Sequence, residues 1–284
     1  MKNTNKLMNG ISGGNDIVKD IELWQGDCLD LMKDVPDESI DLTVTSPPYD
    51  NLRSYNGNND LWNQEVWESV IEELYRITKK GGVVVWIVGD ATVKGSETGT
   101  SFKQALHFKE IGFNIHDTMI YQKNNPMPYK HNRYMPCFEY MFVFSKGKPS
   151  VFNPLTVDTV KPSGKLTTSQ RTKDGVKRKG NGYGRKRNAT RYRYNVWTYN
   201  VGKNQTTTDT IAFEHPAIFP DRLAEDHILS WSNEGDTVLD PFMGSGTTAK
   251  MATLNNRKFI GIELDETYFE IAKYRTEETE GINE

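Results

Sequence analysis

Residues 46–49 read Ser-Pro-Pro-Tyr, a short loop whose residue types suit the binding of a flat ring that carries an amine. The Ser46 hydroxyl and the Pro47 carbonyl can accept hydrogen bonds from the amine, and the two prolines restrict the backbone that aims them. An amine held in this way directs its lone pair at an electrophile, while Tyr49 can stack on the ring. We therefore predict that Ser46, Pro47, Pro48 and Tyr49 are catalytic. The alternative is a proline-rich turn whose tyrosine packs into the core.

A second segment, Gly244-Ser-Gly246-Thr-Thr-Ala249, has the spacing of a glycine-rich turn between a strand and a helix. Glycines at such a turn let the backbone approach a nucleotide or nucleoside closely. Glu263 ends the next predicted strand, where a carboxylate can accept hydrogen bonds from both ribose hydroxyls. On its own the pattern fits several nucleoside cofactors, including nicotinamide and flavin dinucleotides, or a tight turn with no ligand.

Two further features favour S-adenosylmethionine. The glycine turn is followed by one predicted strand and one predicted helix, whereas a dinucleotide fold begins with this unit and needs room for a second half. Asp240 precedes the turn, and its carboxylate can bind the ammonium group of an amino-acid moiety but would repel a pyrophosphate. An NAD-binding oxidoreductase is the remote alternative.

Charge is distributed unevenly along the 284 residues. The net charge is −3, yet the window from Lys161 to Lys203 holds seven lysines and six arginines against Asp174, a local charge of +12 that leaves −15 for the remainder. An acidic body with one basic segment fits a protein whose basic segment binds a polyanion. A solvated basic loop without a partner is the alternative.

Composition argues against several other classes of protein. The longest apolar run, Val83–Val88, is far shorter than the roughly 20 residues that span a bilayer. The polar residues 1–20 lack the apolar segment of a secretory signal, and we expect them to form a flexible arm. Cys28 and Cys137 form no CxxC pair, so neither a metal site nor a redox motif is predicted.

Strands alternate with helices in the hydrophobic pattern, which predicts an α/β fold with a doubly wound, mostly parallel sheet. The predicted strands are Ile21–Gln25, Ile40–Thr45, Val83–Val88, Phe113–Tyr121, Tyr140–Ser145, Thr237–Asp240 and Lys258–Ile262. The predicted helices are Val66–Ile77 with Lys79, Lys80 and Gly81 closing it, Phe102–Ile111, Pro220–Trp231, Gly246–Leu254 and the segment from Glu266 onward. Residues 150–208 show no regular period and form a predicted irregular insertion.

The two motifs resemble those of the DNA amino-methyltransferases, which make N4-methylcytosine or N6-methyladenine. In that family the cofactor motif reads Asp-Pro-Phe-x-Gly-Ser-Gly-Thr, as residues 240–247 do. The catalytic motif has Asp, Asn or Ser before Pro-Pro and an aromatic, as residues 46–49 do. The order of catalytic motif, basic insertion and cofactor motif is similar to that of the β class, over residues 21–278. The resemblance implies a circularly permuted S-adenosylmethionine-dependent methyltransferase fold and double-stranded DNA as substrate.

The same resemblance assigns residues to the cofactor site. Residues 26–28 are similar to the segment that contacts the adenine, and residues 215–220 to the segment that lines the methionine end. A helix cap or a helix start is the alternative for each segment. The implied cofactor-binding residues are Asp27, Cys28, Pro216, Phe219, Asp240, Pro241, Phe242, Gly244, Ser245, Gly246, Thr247 and Glu263.

A further region is implied as the neighbour of the target base. The run from Lys123 to Pro128, followed by Arg133 and Glu139, matches a segment that lies beside the base in the family. Tyr121 stands where an aromatic is usual. Residues 50–60 directly follow Tyr49 and are rich in turn formers, so we expect them to act as a lid.

The basic insertion is the expected target-recognition region. Lysines and arginines there can neutralise phosphates, and arginine can also read guanine in the major groove. The candidate DNA-binding residues are Lys177, Arg178, Lys179, Arg185, Lys186, Arg187, Arg191 and Arg193. The expected division of the chain is a flexible arm at 1–20, a catalytic half at 21–149, the insertion at 150–208 and a cofactor-binding half at 209–284.

Ser46 indicates the target base, since serine at this position favours cytosine N4 in the family and aspartate favours adenine N6. We therefore expect a site-specific DNA methyltransferase that acts on N4 of a flipped cytosine, with N6 of adenine as the alternative. The intact motifs disfavour a DNA-binding protein without turnover, and the basic insertion disfavours a small-molecule methyltransferase. The resemblance implies a cytoplasmic, nucleoid-associated enzyme of a restriction-modification system. A cognate restriction endonuclease, and a monomer or a homodimer, are left open.

Overall fold

The computed structural model describes residues 6–8, 21–49, 61–126, 132–160 and 164–281. The chain divides into two compact units, one of residues 154–194 and the other of the remaining residues. The smaller unit lies within the stretch that the sequence predicts as an insertion. The predicted lid at 50–60 and residues 127 and 128 of the predicted base-side segment lie outside the described residues.

Strands and helices follow the alternation expected from the sequence. The strands are β1 Lys6–Met8, β2 Ile21–Gln25, β3 Ile40–Thr45, β4 Thr78–Val88, β5 Thr92–Val93, β6 Ser96–Glu97, β7 Asn114–Lys123, β8 Phe138–Ser145, β9 Thr156–Asp158, β10 Ser169–Arg171, β11 Lys177–Lys179, β12 Thr190–Tyr192, β13 Val196–Tyr199, β14 Thr237–Asp240 and β15 Lys258–Glu263. The helices are α1 Cys28–Leu31, α2 Gln64–Ile77, α3 Thr100–Ile111, α4 Asp221–Trp231, α5 Thr247–Leu254 and α6 Glu266–Gly281. No helix in the described part of the chain has the length and apolar character needed to cross a membrane.

Nine of the strands form one sheet in the order β1-β2-β15-β14-β3-β4-β8-β7-β13. The neighbours β2, β15, β14, β3 and β4 are parallel, and β8 runs antiparallel between β4 and β7. Strand β14, from late in the chain, pairs with β3, from early in the chain. This is the circularly permuted arrangement that the order of the motifs predicts, and the mostly parallel sheet is confirmed.

Helices cover both faces of this sheet, which explains the unbroken apolar run Val83–Val88. Trp86 and Phe144 are buried in a core cluster with residues of α2 and α3. Met141 alternates with Phe144 along β8 and faces the opposite side, where its sulfur lies 3.2 Å from Nε2 of His227 in α4. Helix α2 packs against α1 and α3, and α5 packs against α4 and α6.

Helix α2 ends before the Lys-Lys-Gly run at 79–81 that the sequence predicts as its closing signal. Its last residue is Ile77, and Thr78 already has an extended backbone. Lys79 lies in β4, where its ammonium nitrogen is 2.7 Å from the Asp41 carboxylate of β3. The interstrand ion pair therefore uses a lysine that would otherwise suit a helix C-terminus.

Short strands also occur where the sequence shows no period. Lys6–Met8, inside the predicted flexible arm, pairs antiparallel with β2. Val196–Tyr199, inside the predicted insertion, pairs with β7 at the other edge of the sheet. Both satisfy backbone groups of an edge strand, and both are too short for an alternating pattern to stand out.

The smaller unit contains antiparallel ribbons where the sequence predicts irregular structure. Strand β10 pairs with β11, and β9 pairs with β12. All side chains of β10 and β11 are exposed. A strand that buries neither face leaves no hydrophobic alternation in the sequence, which is why the pattern fails here.

Phe108 is the core residue whose truncation we use to test this packing. Its ring is fully buried and stacks on Phe144 with the ring centroids 3.9 Å apart. Phe108→Ala should lower the free energy of unfolding by about 3–5 kcal/mol, because it leaves a cavity in the core. The matched control on the same helix is Phe102→Ala, whose ring is 49% exposed and should cost about 1 kcal/mol. Urea unfolding measures both, and equal losses would contradict the assigned core.

Candidate active site

Four neighbouring parallel strands end at the same edge of the sheet, and each is followed by a predicted site segment. Strand β2 leads to Asp27, β15 ends at Glu263, β14 leads into the glycine turn at 241–246, and β3 leads into the loop that begins at Ser46. In open α/β sheets ligands bind in the crevice outside the carboxyl ends of the strands. The fold thus brings together four segments that are far apart in the sequence.

A cavity of about 140 Å³ lies at this edge, and it is lined by residues of all four segments. The predicted site residues in its wall are Asp27, Cys28, Ser46, Pro48, Phe219, Pro241, Phe242, Gly244, Ser245, Thr247 and Glu263. The predicted residues outside its wall are Pro47, Tyr49, Pro216, Asp240 and Gly246. Residues of the catalytic loop and of the cofactor turn therefore share one cavity.

Part of the wall consists of residues that lie outside the motifs recognised in the sequence. These residues are Leu61, Trp62, Val66, Leu264, Asp265 and Tyr268. The Trp62 ring meets Phe242 edge to face, with the centroids 5.1 Å apart. Asp265 accepts a hydrogen bond from the backbone N–H of Thr267 at 2.9 Å, at the start of α6. Asp265 could have been identified from the sequence, because an aspartate directly before a predicted helix is a typical N-cap. Trp62 could not, because only tertiary packing brings it to the wall.

The glycine turn has a conformation that side chains would prevent. Gly244 and Gly246 have φ angles of 54° and 80°, in the left-handed region. A Cβ atom on Gly246 would lie 2.9 Å from Cα of Ala272 in α6, and one on Gly244 would lie 3.1 Å from the His215 ring. Both glycines are therefore required by the backbone and by close packing, before any ligand is considered.

Glu263 links the end of β15 to the glycine turn. One carboxylate oxygen accepts from the Gly244 N–H at 2.8 Å, and the other accepts from the Asp265 N–H at 2.9 Å. Burial raises the pKa of Glu263 to about 7, and the nearby carboxylates of Asp265 and Asp240 add to the shift. Because a carboxylate oxygen has two lone pairs, each retains acceptor capacity for a hydroxyl in the cavity.

Asp240 lies beneath the wall, where the sequence had suggested direct contact with a ligand's ammonium group. Its carboxylate accepts from the Thr45 hydroxyl at 2.6 Å, the Thr248 hydroxyl at 2.7 Å and the Phe242 N–H at 3.1 Å. Burial raises its pKa to about 6. Through these hydrogen bonds Asp240 connects β3, the glycine turn and α5.

Burial holds two other groups of the wall in their neutral forms. The pKa of His215 is lowered to about 4, and its Nδ1 accepts from the Ala217 N–H at 3.2 Å. The pKa of the Cys28 thiol is raised to about 12 by burial and by the adjacent Asp27. Asp27 itself is exposed and caps α1, since its Oδ1 accepts from the Leu29 N–H at 2.8 Å. Its cap role and its place in the wall are compatible.

The catalytic loop is tied to the β7–β8 hairpin through its tyrosine. The Ser46 hydroxyl donates to the Tyr49 hydroxyl at 3.0 Å, and Tyr49 donates to a Glu139 oxygen at 2.8 Å. Lys123 donates to the other Glu139 oxygen at 2.5 Å. The implied base-side residues Lys123 and Glu139 are thus in contact with the catalytic loop. Since Ser46 gives its hydrogen to Tyr49, its lone pairs are available to accept from an amine.

The smaller unit gathers part of the predicted DNA-binding set around a basic cavity of about 880 Å³. Arg185, Lys186, Arg187 and Arg191 line it. Lys177, Arg178 and Lys179 lie outside that cavity, exposed along β11. Arg193 also lies outside it, and its backbone N–H donates to the Leu155 carbonyl at 2.9 Å. Cations lie over aromatic faces as well, with Arg191 3.9 Å from the Tyr194 ring centroid and Lys179 4.8 Å from that of Tyr183.

Known proteins are similar to this chain in sequence and in fold. Residues 40–274 match the N6/N4 methyltransferase family model, described as DNA methylase. The chain belongs to this family. The orphan methyltransferase M.BamHII of Bacillus amyloliquefaciens is 55% identical over 251 residues, or 86% of this chain and 91% of that protein. The PvuII DNA methyltransferase (cytosine-N4-specific) has a TM-score of 0.65 at 21% identity and covers 92% of this chain and 90% of its own. The M1.HpyAVI–SAM complex has a TM-score of 0.59 at 25% identity, covering 89% and 97%.

The methylase is thus a DNA methyltransferase of the β class that uses S-adenosylmethionine. The cavity fits this cofactor, because it combines a glycine turn, the acceptor Glu263 and aromatic surfaces from Trp62, Phe219 and Tyr268. His215, being neutral, places no positive charge against a sulfonium. When bound, the cofactor supplies an electrophilic methyl group on that sulfonium centre.

Cofactor binding should depend on the ionisation of Glu263. With a pKa of about 7, this carboxyl is largely protonated in the free methylase below neutral pH and then accepts hydrogen bonds less well. The dissociation constant for S-adenosylmethionine should therefore rise by up to about tenfold in total as the pH falls from 8 to 6. Glu263→Gln should bind more weakly at pH 8 and show a flat profile. Titration calorimetry measures both, and parallel profiles would assign the dependence to another group, such as Asp240.

Proposed function

We propose that the protein is a site-specific DNA methyltransferase that transfers a methyl group from S-adenosylmethionine to N4 of a flipped cytosine. One observation carries this proposal: Ser46 of the catalytic loop and residues 241–245 and 247 of the cofactor turn line the same cavity. An acceptor for an amine therefore lies beside the segments that suit the methyl donor. Serine rather than aspartate at position 46 supports cytosine over adenine, by the preference within the family.

Each part of the cofactor has a proposed partner. Asp27, exposed at the cavity, accepts from the adenine amino group, and Glu263 accepts from the ribose hydroxyls. The segment 215–220 lines the methionine end, with Phe219 in the wall. Asp240 supports the site from beneath, because its carboxylate is already hydrogen-bonded to Thr45 and the turn.

The target amine needs orientation more than a covalent partner. The lone pair of a nucleobase amine is delocalised into the ring, so acceptors that hold its N–H groups free the lone pair to face the methyl donor. The Ser46 lone pairs and the Pro47 carbonyl serve as these acceptors in the proposal. Cys28, the thiol in the same cavity, stays un-ionised because its pKa is about 12, so it is a poor nucleophile.

The smaller unit is the proposed DNA-recognition region. Its cavity wall supplies three guanidinium groups and one ammonium group, together with the amides Asn181 and Asn188. Arginine and lysine neutralise phosphates, and arginine and asparagine also suit base edges in the major groove. The exposed basic strand β11 adds three more positive charges.

Methyl transfer to an amino nitrogen is the direct test. Purified protein with radiolabelled S-adenosylmethionine and duplex DNA that contains all short sites should place label on N4-methylcytosine after hydrolysis to nucleosides. Ser46→Ala should lower the rate by about 10²–10³-fold, because one fixed acceptor is lost, while the cofactor dissociation constant changes little.

Ser69→Ala is the matched control, since Ser69 is exposed on α2 and its hydroxyl bonds only the helix carbonyl of Glu65 in the described contacts. It should retain the full rate. Label on N6-methyladenine would show that the target base is adenine rather than cytosine. Label on a ring carbon, or a Ser46→Ala enzyme as fast as the wild type, would refute the amine mechanism.

Removal of the basic cluster should weaken DNA binding in a salt-dependent way. The triple variant Arg185→Ala, Lys186→Ala, Arg187→Ala should reduce the slope of log affinity against log salt by about 2–3, at roughly 0.9 per phosphate contact. Fluorescence anisotropy at several salt concentrations measures the slope. The control triple variant Lys33→Ala, Lys103→Ala, Lys109→Ala removes the same charge from exposed sites on the larger unit and should keep the wild-type slope. Equal slopes for both triple variants would show that the basic cluster is not part of the DNA interface.

A further inference from the structure

Side-chain hydrogen bonds connect the catalytic loop to an ion pair on the β7–β8 hairpin. The path runs from Ser46 to Tyr49 at 3.0 Å and from Tyr49 to Glu139 at 2.8 Å. The second oxygen of Glu139 accepts from Lys123 at 2.5 Å. Four side chains from three different elements thus form one continuous path that begins at the proposed amine acceptor.

This path has a direction. Each hydroxyl gives its hydrogen to the next group, and the path ends at a carboxylate, which accepts only. When the Ser46 oxygen receives a proton, the serine can therefore pass its own hydrogen on to Tyr49. The tyrosine hydrogen then moves to Glu139, and no side chain has to rotate.

The reaction needs such an acceptor. When an amine nitrogen gains a methyl group it becomes positively charged and must lose a proton. In the cavity wall Cys28 is an un-ionised thiol, and Nδ1 of His215 already accepts from the Ala217 backbone. Of the carboxylates there, Asp27 and Glu263 are assigned to the adenine and the ribose of the cofactor, and Asp265 caps α6. Among the described side-chain hydrogen bonds, those that start at Ser46 lead to the carboxylate of Glu139.

We propose that Glu139 is the terminal acceptor of the proton that the target amine loses, with Ser46 and Tyr49 as the relay. This inference rests on the proposed function. As the amine nitrogen forms its bond to the methyl carbon, the carbon–sulfur bond breaks and its electron pair stays on sulfur. The amine proton passes to Ser46, the serine proton to Tyr49 and the tyrosine proton to Glu139. One positive charge on the donor and one negative charge on the carboxylate are thereby removed together.

The surroundings of Glu139 suit this role. Lys123 on β7 holds the carboxylate in place, and both side chains are partly exposed, at 27% and 15%, so a proton can pass on to solvent. Tyr121, paired with Glu139 across the β7–β8 ladder, faces the same carboxylate. Burial, together with that carboxylate, raises the pKa of Tyr121 well above its usual value, so this phenol stays protonated. Within the described part of the chain, the charged and titratable groups that face Glu139 are thus Lys123, Tyr49 and Tyr121.

The test uses Tyr49→Phe, Glu139→Gln and the double variant in single-turnover methylation. Tyr49→Phe keeps the ring and removes the relay hydroxyl, and it leaves the Lys123–Glu139 ion pair intact. Each single variant should lower the rate constant by about 10²-fold, as is typical when proton transfer is lost. The double variant should be no slower than the slower single variant, because both break the same path. With S-adenosylmethionine saturating at every pH, so that the ionisation of Glu263 does not limit binding, the wild-type rate should fall at acidic pH, and the variants should lose that fall.

Binding provides a readout independent of turnover. Dissociation constants for duplex DNA and for S-adenosylmethionine, and 2-aminopurine fluorescence at the flipped position, should stay within about threefold of wild type, since Tyr49→Phe keeps the stacking ring and both variants keep the Ser46 acceptor. The matched control is Tyr274→Phe, which removes another tyrosine–glutamate hydrogen bond, to Glu278 on the exposed part of α6. It should leave rate, pH profile and binding unchanged.

The possible failures are distinguishable. If the wild type labels amino nitrogen but Tyr49→Phe keeps its rate and pH profile, the relay is wrong and the proposed function stands. Additive losses in the double variant, or losses that appear mainly in binding, would make Tyr49 and Glu139 structural supports and overturn the relay. If the wild type labels no amino nitrogen, the proposed function itself fails.

Discussion

The active site depends on one hydrogen bond, that between the buried side chains of Thr45 and Asp240, 2.6 Å in length. Thr45 ends β3 and Asp240 ends β14, and these parallel neighbours are separated by 195 residues of chain. The catalytic loop and the cofactor turn each begin at the next residue. The contact therefore fixes the two loops relative to each other more directly than packing of the strands does. Asp240 can remain buried because Thr248 and the Phe242 N–H also donate to its carboxylate.

A buried ion network holds another segment of the wall in place. Arg275 of α6 is fully buried and donates to the Ser245 carbonyl in the turn and to the Asp209 carboxylate. Lys250 of α5 bridges Asp209 and Asp221, which flank the segment that carries His215 and Phe219. Removing four charges from water is costly, so the network is better explained by the position it imposes than by a net gain in stability. Because two cations are held between Asp209 and Asp221, the segment that connects these two carboxylates has few alternative positions.

Local patterns in the sequence predict the elements and the motifs, but not the contacts between distant segments. Strands β2, β3 and β14 have their expected bounds because each is followed by a residue that interrupts a ladder, namely Gly26, the Ser-Pro-Pro loop and Pro241. Parallel strands end at one edge, so the meeting of the motifs was also predictable. Trp62 reaches the wall, and Glu139 reaches Tyr49, only because of how α2 and the β7–β8 hairpin pack. No spacing rule encodes these contacts.

The ionisation states of the wall suit a ligand that carries a positive charge and loses it in the reaction. Burial keeps His215 neutral, so the imidazole does not repel a sulfonium. It also raises the pKa values of Glu263 and Asp240, to about 7 and 6. A bound cation favours the ionised carboxylates, and a neutral thioether does not. These two carboxyl groups therefore ionise when the donor binds, and they can be protonated again once the methyl group has left. Burial at the sheet edge thus favours the charged donor over the neutral product without any residue changing place.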